Sequence, residues 1–178
     1  MKTLKQQIRH SVVVSRPDEG FTLIELLIVM SIILILVTLA IPQYTKVKKT
    51  TNETSAVASM KAIATAENQY SSTYPQNGYA CTLAPLGGDP KSGAPSAQSA
   101  QVLDPVLAAS GIKAGYQFAV TNCQKGATVG GVDMYTGYQI TATPITVNKT
   151  GDRGFCMDEN GLIKFDPTGG INCTQSLQ

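Results

Sequence analysis

The chain has 178 residues, 43% of them apolar, with a mean hydropathy of +0.02 and a formal charge of +2. That length fits one domain of ordinary size, and so small a charge argues against a protein built to grip nucleic acid, which presents a concentrated basic surface. The only histidine is His10, near the N-terminus, so His-based triads, His-ligated zinc and c-type haem are excluded from the chain beyond it.

The first segment, Met1–Gly20, is polar and carries Lys2, Lys5, Arg9 and Arg16. It gives way to Phe21–Ile41, where 17 of 21 residues are apolar, the exceptions being Thr22, Glu25, Ser31 and Thr38. At 1.5 Å per residue such a helix spans about 31 Å, the thickness of a bilayer hydrocarbon core. A core helix of a globular domain would show a polar stripe, and this run has almost none. Lys46, Lys48 and Lys49 follow it, so the positive charges count four before and three after, which favours a cytoplasmic N-terminus. A removable signal cut after Thr38-Leu39-Ala40 would have the same orientation, although such signals have apolar regions of only about 7–15 residues.

Glu25 distinguishes the run from an ordinary anchor. A carboxylate at the middle of a membrane helix costs about 2.5–3.5 kcal/mol on insertion scales. Glu25 lies four residues after Phe21, about 6 Å along the axis, so it can partly reach the interface. An acid held in an apolar helix calls for a cationic partner, and no Lys, Arg or His lies inside the run. The partner has to come from another chain, or from an amine made by cutting the backbone nearby.

Gly20-Phe21-Thr22-Leu23-Ile24-Glu25, followed by Leu26-Leu27-Ile28-Val29, resembles the processing signal of type IV prepilins and pseudopilins. The resemblance extends through the apolar run to Ala40-Ile41-Pro42-Gln43-Tyr44. It implies cleavage after Gly20 by an inner-membrane prepilin peptidase that also methylates the new amine on Phe21. It further implies that Glu25, fifth in the cleaved chain, neutralises the terminal amine of a neighbouring subunit as a homo-oligomeric helical filament grows from an inner-membrane assembly platform. Three features depart from the family pattern. Asp18-Glu19 stand where a basic residue usually precedes the glycine, the leader is long, and Ile33-Leu34-Ile35 replaces a common mid-helix glycine. Pro42 removes the helix hydrogen bond to Thr38 and is the expected point of local melting.

Beyond the membrane run (21–42), residues 43–74 keep a helical period. Val47, Val57, Met60, Ile63, Ala64, Glu67 and Tyr70 fall near one face, which suits a helix packed under a head. Val57, Met60, Ile63 and Tyr70 are expected in the core, and Tyr44 in contacts between subunits. Tyr74-Pro75 and Asn77-Gly78 end the helix. Residues 75–115 are expected to form a surface loop, loosest between 82 and 101. Within it Asp104-Pro105 reads as an N-cap and first helical position, and Gly111 as the stop of a short helix.

The last stretch, 116–178, turns to strands. Alternation marks 116–121 and 138–143, and Asn160-Gly161 within Phe155–Phe165 marks a hairpin. Three or four antiparallel strands against the helix give an α+β, pilin-like fold. Cys81, Cys123, Cys156 and Cys173 all follow the membrane run, in a compartment that favours disulfides. Three pairings are open. Cys81 with Cys123 and Cys156 with Cys173 is preferred, the second tying the tail to the hairpin.

Other chemistry is sparse. Asp158-Glu159-Asn160-Gly161 lacks the ligand spacing of a calcium loop and reads better as a turn. Asn52, Asn148 and Asn172 open short N-x-[ST] sequons, a pattern with many false positives. No nucleophile elbow, P-loop or CxxC occurs, so neither an enzyme nor a bound cofactor or metal is expected. The readings are therefore a pilus subunit, a secretion-system pseudopilin, or a membrane-anchored binding domain that never polymerises. The C-terminal cysteines and the long loop favour the first. The expected location is the inner membrane, in contact with lipid, and then an extracellular pilus or periplasmic pseudopilus.

Overall fold

The computed structural model describes residues 20–91 and 93–177. Expectations that fall on the leader before Gly20, including Asp18-Glu19 and its positive charges, lie outside the described residues. The fold is α+β: a long N-terminal helix, α1 (Leu23–Thr73), precedes a short helix, α2 (Pro105–Ser110), and an antiparallel sheet. By its contacts the chain divides into two units, Met1–Ala40 and Ile41–Gln178, with α1 contributing to both.

In the first unit the helix lacks an inward face. From Phe21 to Leu39 the large apolar side chains are all exposed, Val37 least at 44% and Leu23 most at 83%. The helix runs through Thr38-Leu39-Ala40 and through Pro42 without interruption. The Thr38 and Thr45 hydroxyls donate to the carbonyls of Ile35 and Pro42, both three residues back, so neither needs an outside partner.

In the second unit α1 gains a buried face made of Glu53, Ala56, Ser59, Met60, Ile63, Ala66, Glu67 and Tyr70. Met60, Ile63 and Tyr70 are in the core as the helical period requires, and Val57 packs against its edge. Val47 is a correction: it is 62% exposed, because packed partners begin only at Lys49.

The sheet has six strands among the described residues, in chain order: β1 (Ile112–Lys113), β2 (Tyr116–Val129), β3 (Val132–Pro144), β4 (Gly154–Asp158), β5 (Ile163–Asp166) and β6 (Gln175–Ser176). Two rows of inward side chains cross it. Phe118, Ala142, Phe155 and Phe165 are successive partners, as are Val120, Ile140, Met157 and Ile163. The small Ala142 between two phenylalanines lets the row interdigitate.

The strands are more numerous and longer than alternation suggested. β2 and β3 continue as a ribbon to a Gly130-Gly131 turn, both glycines at positive φ. Gln124, Lys125, Gly126, Thr136 and Gly137 carry no apolar alternation because the ribbon does not cover the core, and three register shifts break the pattern further.

The expected loop is only partly a surface. Leu83, Leu86, Ala100 and Leu103 are buried, and a 3-10 turn over Ala84–Leu86 holds them in place. The Leu86 carbonyl accepts both the Val102 and Leu103 N–H groups, and the Tyr70 hydroxyl donates to the Ala97 carbonyl. Beside it, Asp104 caps α2 by accepting the Leu107 N–H at 2.9 Å, and Gly111 closes it at φ 65°.

Candidate processing and assembly site

Gly20, Phe21 and Thr22 precede the first helical residue, Leu23. The Gly20–Phe21 peptide bond is therefore outside the helical hydrogen-bond ladder. Phe21 is 81% exposed, and a Cβ built on Gly20 would meet no atom within 4 Å.

Glu25 is joined to the start of the helix by a reciprocal cap. The Thr22 hydroxyl accepts the Glu25 N–H at 3.2 Å. Glu25 Oε2 in turn accepts the Thr22 N–H at 3.0 Å and its hydroxyl at 2.8 Å. Thr22 is the N-cap and Glu25 the third helical residue, the S/T-x-x-E capping box. The cap satisfies donors that a helix end would otherwise leave bare, which matters most where lipid replaces water. It also holds the carboxylate against the residue that follows Phe21. The signal for this cap, Thr22-Leu23-Ile24-Glu25, is complete in the sequence, but the apolar run around it draws attention to the charge alone.

Pro42 lies 17 residues beyond Glu25 in the same helix and belongs to the second unit. The first unit carries a shallow apolar groove between neighbouring side chains of α1, with Phe21, Leu26, Met30 and Leu34 among its walls. It presents a packing surface and no convergent polar groups.

The head holds the remaining candidates. Disulfides join Cys81 to Cys123 and Cys156 to Cys173, with Cα atoms 5.8 and 6.1 Å apart. Asp158 serves the β4–β5 turn: its Oδ1 accepts the Asn160 and Leu162 N–H groups. Among the sequon asparagines, Asn52 donates its side-chain amide to the Thr150 carbonyl.

Two carboxylates have partners that no sequence pattern announces. Glu53 Oε1 accepts the backbone N–H groups of Asp152 and Arg153, and Oε2 accepts the Arg153 guanidinium at 2.7 and 2.9 Å. The guanidinium also lies 5.5 and 5.2 Å from the Phe155 and Phe165 ring centres. Glu67 is fully buried, and its Oε2 accepts the Ala80 N–H at 2.7 Å. Its Oε1 and the Tyr138 hydroxyl are buried without a hydrogen-bond partner among the described residues. Burial pushes the Glu67 carboxyl up to about 8, opposed by the Ala80 N–H. Burial, with Glu67 nearby, also raises the Tyr138 hydroxyl above its ordinary range.

Comparison with curated proteins and with solved structures returns no match. The family described as the prokaryotic N-terminal methylation motif matches residues 15–41, which include the Gly20–Phe21 bond, the Thr22–Glu25 cap and the apolar helix. The chain thus carries the prepilin-type N-terminal signal of type IV pilins and pseudopilins.

Proposed function

We propose that this chain is a structural subunit of a type IV pilus, stored in the inner membrane and polymerised through its N-terminal helix after cleavage between Gly20 and Phe21. The observation that carries the reading is a helix apolar on every side, exposed along its whole first unit, with one carboxylate beside the cleavage bond. Fully burying each Leu, Ile or Val side chain contributes about 1.5–3 kcal/mol, so such a surface does not stay in water. Lipid covers it in the precursor, and neighbouring helices cover it in a filament. Cleavage creates an amine on Phe21, next to the residue whose N–H already meets Glu25, and the carboxylate is then available to the amine of an adjacent subunit.

The inner-membrane peptidase and methyltransferase and the assembly platform are the partners this reading requires. The test is N-terminal mass spectrometry of the protein from its native host. A chain beginning with methylated Phe21 supports it, whereas an uncut terminus or one beginning at Ile41 overturns it. Deletion then separates the two filament types. Loss of surface pili supports the pilus subunit, and loss of secretion with pili intact assigns a pseudopilin.

A further inference from the structure

The charges of the second unit are unevenly placed. Six of the ten cationic side chains after Gly20 gather where the sheet begins and α1 enters: Lys46, Lys48, Lys49, Lys113, Lys149 and Arg153. The contacts that define this end are Lys49 with Asp152 at 2.8 Å, Asn52 with the Thr150 carbonyl, and the Ile145 N–H with the Gly115 carbonyl. Three carboxylates lie here, and each is engaged: Glu53 with Arg153, Asp152 with Lys49, and Asp166 with Thr168 and the Asn172 N–H. Lys46, Lys48, Lys113 and Lys149 are exposed and in no ion pair among the described residues.

Apolar side chains stand among these lysines. Ile145 is 52% exposed, Val147 42% and Ile171 62%. Gly169 lies against Val147, which brings the Gly169–Ile171 segment beside the Ile145–Lys149 loop. Basic and apolar groups interleaved on one face suit an interface with anionic lipid headgroups. Only eight residues of helix separate Ile41, the last of the apolar run, from Lys49, a rise of about 12 Å. The polar layer of one leaflet is about 5–7 Å deep, so extended lysine side chains reach it.

We infer that this end of the head, centred on Ile145, Val147, Lys149 and Ile171, docks on the anionic phospholipid surface of the membrane that holds the precursor. The inference rests on the reading that residues 21–41 span that membrane. Docking holds the subunit with its helix seated until assembly, and extraction into a filament has to break it.

The chain contains no tryptophan, so variants with a single introduced indole report on the surface directly. The full chain carrying Ile145→Trp, or separately Ile171→Trp, is reconstituted in vesicles of brominated phosphatidylcholine with or without phosphatidylglycerol. Val132→Trp, at the far end of the β2–β3 ribbon and about 40 Å away along an extended strand, is the control. Quenching of the Ile145→Trp and Ile171→Trp variants is expected only with phosphatidylglycerol, while the Val132→Trp variant stays bright. Raising salt from 0.1 to 1 M shortens screening from about 10 to about 3 Å and should restore emission. Adding Lys149→Gln should lower the docked-to-free ratio about five-fold. Unquenched emission from both reporter variants in protein that floats with the vesicles would overturn docking, as would quenching indifferent to phosphatidylglycerol. Emission that follows protein density rather than lipid charge assigns the face to a second copy and also overturns it. Failure to float at all would instead count against the membrane-spanning reading.

Discussion

Glu25 caps α1, and the proposed function gives it a second duty in assembly that substitution by alanine would confound with the first. Glutamine at the third helical position still accepts the Thr22 N–H, whereas alanine removes both the cap and the charge. Glu25→Ala and Glu25→Gln should both leave insertion and cleavage intact and both reduce filament yield, measured by shearing and immunoblot. Normal assembly of the glutamine variant would assign Glu25 to the cap alone. Glu67 has its own signature. Its folded carboxyl sits at about 8 against an ordinary 4.5, so the native state binds the proton more tightly than the unfolded one. Its contribution is complete below about pH 4.5 and is lost as pH rises to about 8, a few kcal/mol in all. Thermal melts from pH 5 to 9 should show falling stability, and Glu67→Gln should flatten that slope while keeping an acceptor for the Ala80 N–H. Gly154 is needed for space, since a Cβ there would collide with the Gly170 carbonyl. Backbone cannot swing aside as a side chain can, so Gly154→Ala should cost about 1–3 kcal/mol and lower the melting temperature.

At the level of helices and strands, local signals and tertiary partners divide the work. α2 is bounded by Asp104, Pro105 and Gly111 at the positions expected from sequence, because caps act within four residues of the helix end. Asp104→Ala should cost about 1 kcal/mol, read as a fall in denaturant midpoint at constant slope. The later half of α1 depends on partners far away in sequence. Glu53 meets Arg153 across 100 residues, and this pair together with Lys49–Asp152 fastens the helix to the segment before β4. Neither residue announces the other, since exposed acids and bases are common on any helix. The β2–β3 ribbon was hidden for a related reason: alternation reports one buried face, and its outer half has none.

Across the molecule as a whole, the two disulfides tie the head at different reaches. The Cys156–Cys173 link closes 17 residues and the Cys81–Cys123 link 42. In the chain-entropy model these contribute about 3 and about 4 kcal/mol. Cys156→Ala with Cys173→Ala should lower head stability by about 3 kcal/mol without altering N-terminal processing, checked by denaturant unfolding and mass spectrometry of one preparation. In the proposed function the processing signal is Gly20–Glu25, which lies in the other unit.

The membrane run, the cleavage signal, the caps and the core stripe of α1 are all legible in the amino-acid order. They arise from interactions within a helical turn or two, or from composition over a bilayer's thickness, and both are written along the chain. Folding alone settles which cysteines meet, that Glu67 is buried beside Tyr138, that Gly154 faces the Gly170 backbone, and that the Leu83–Leu103 segment contributes to the core. It also brings Lys113 and Lys149 to the end of the sheet where Ile145 and Ile171 are exposed. Each of these depends on residues brought together from distant parts of the chain, and no local pattern records a contact that exists only after folding.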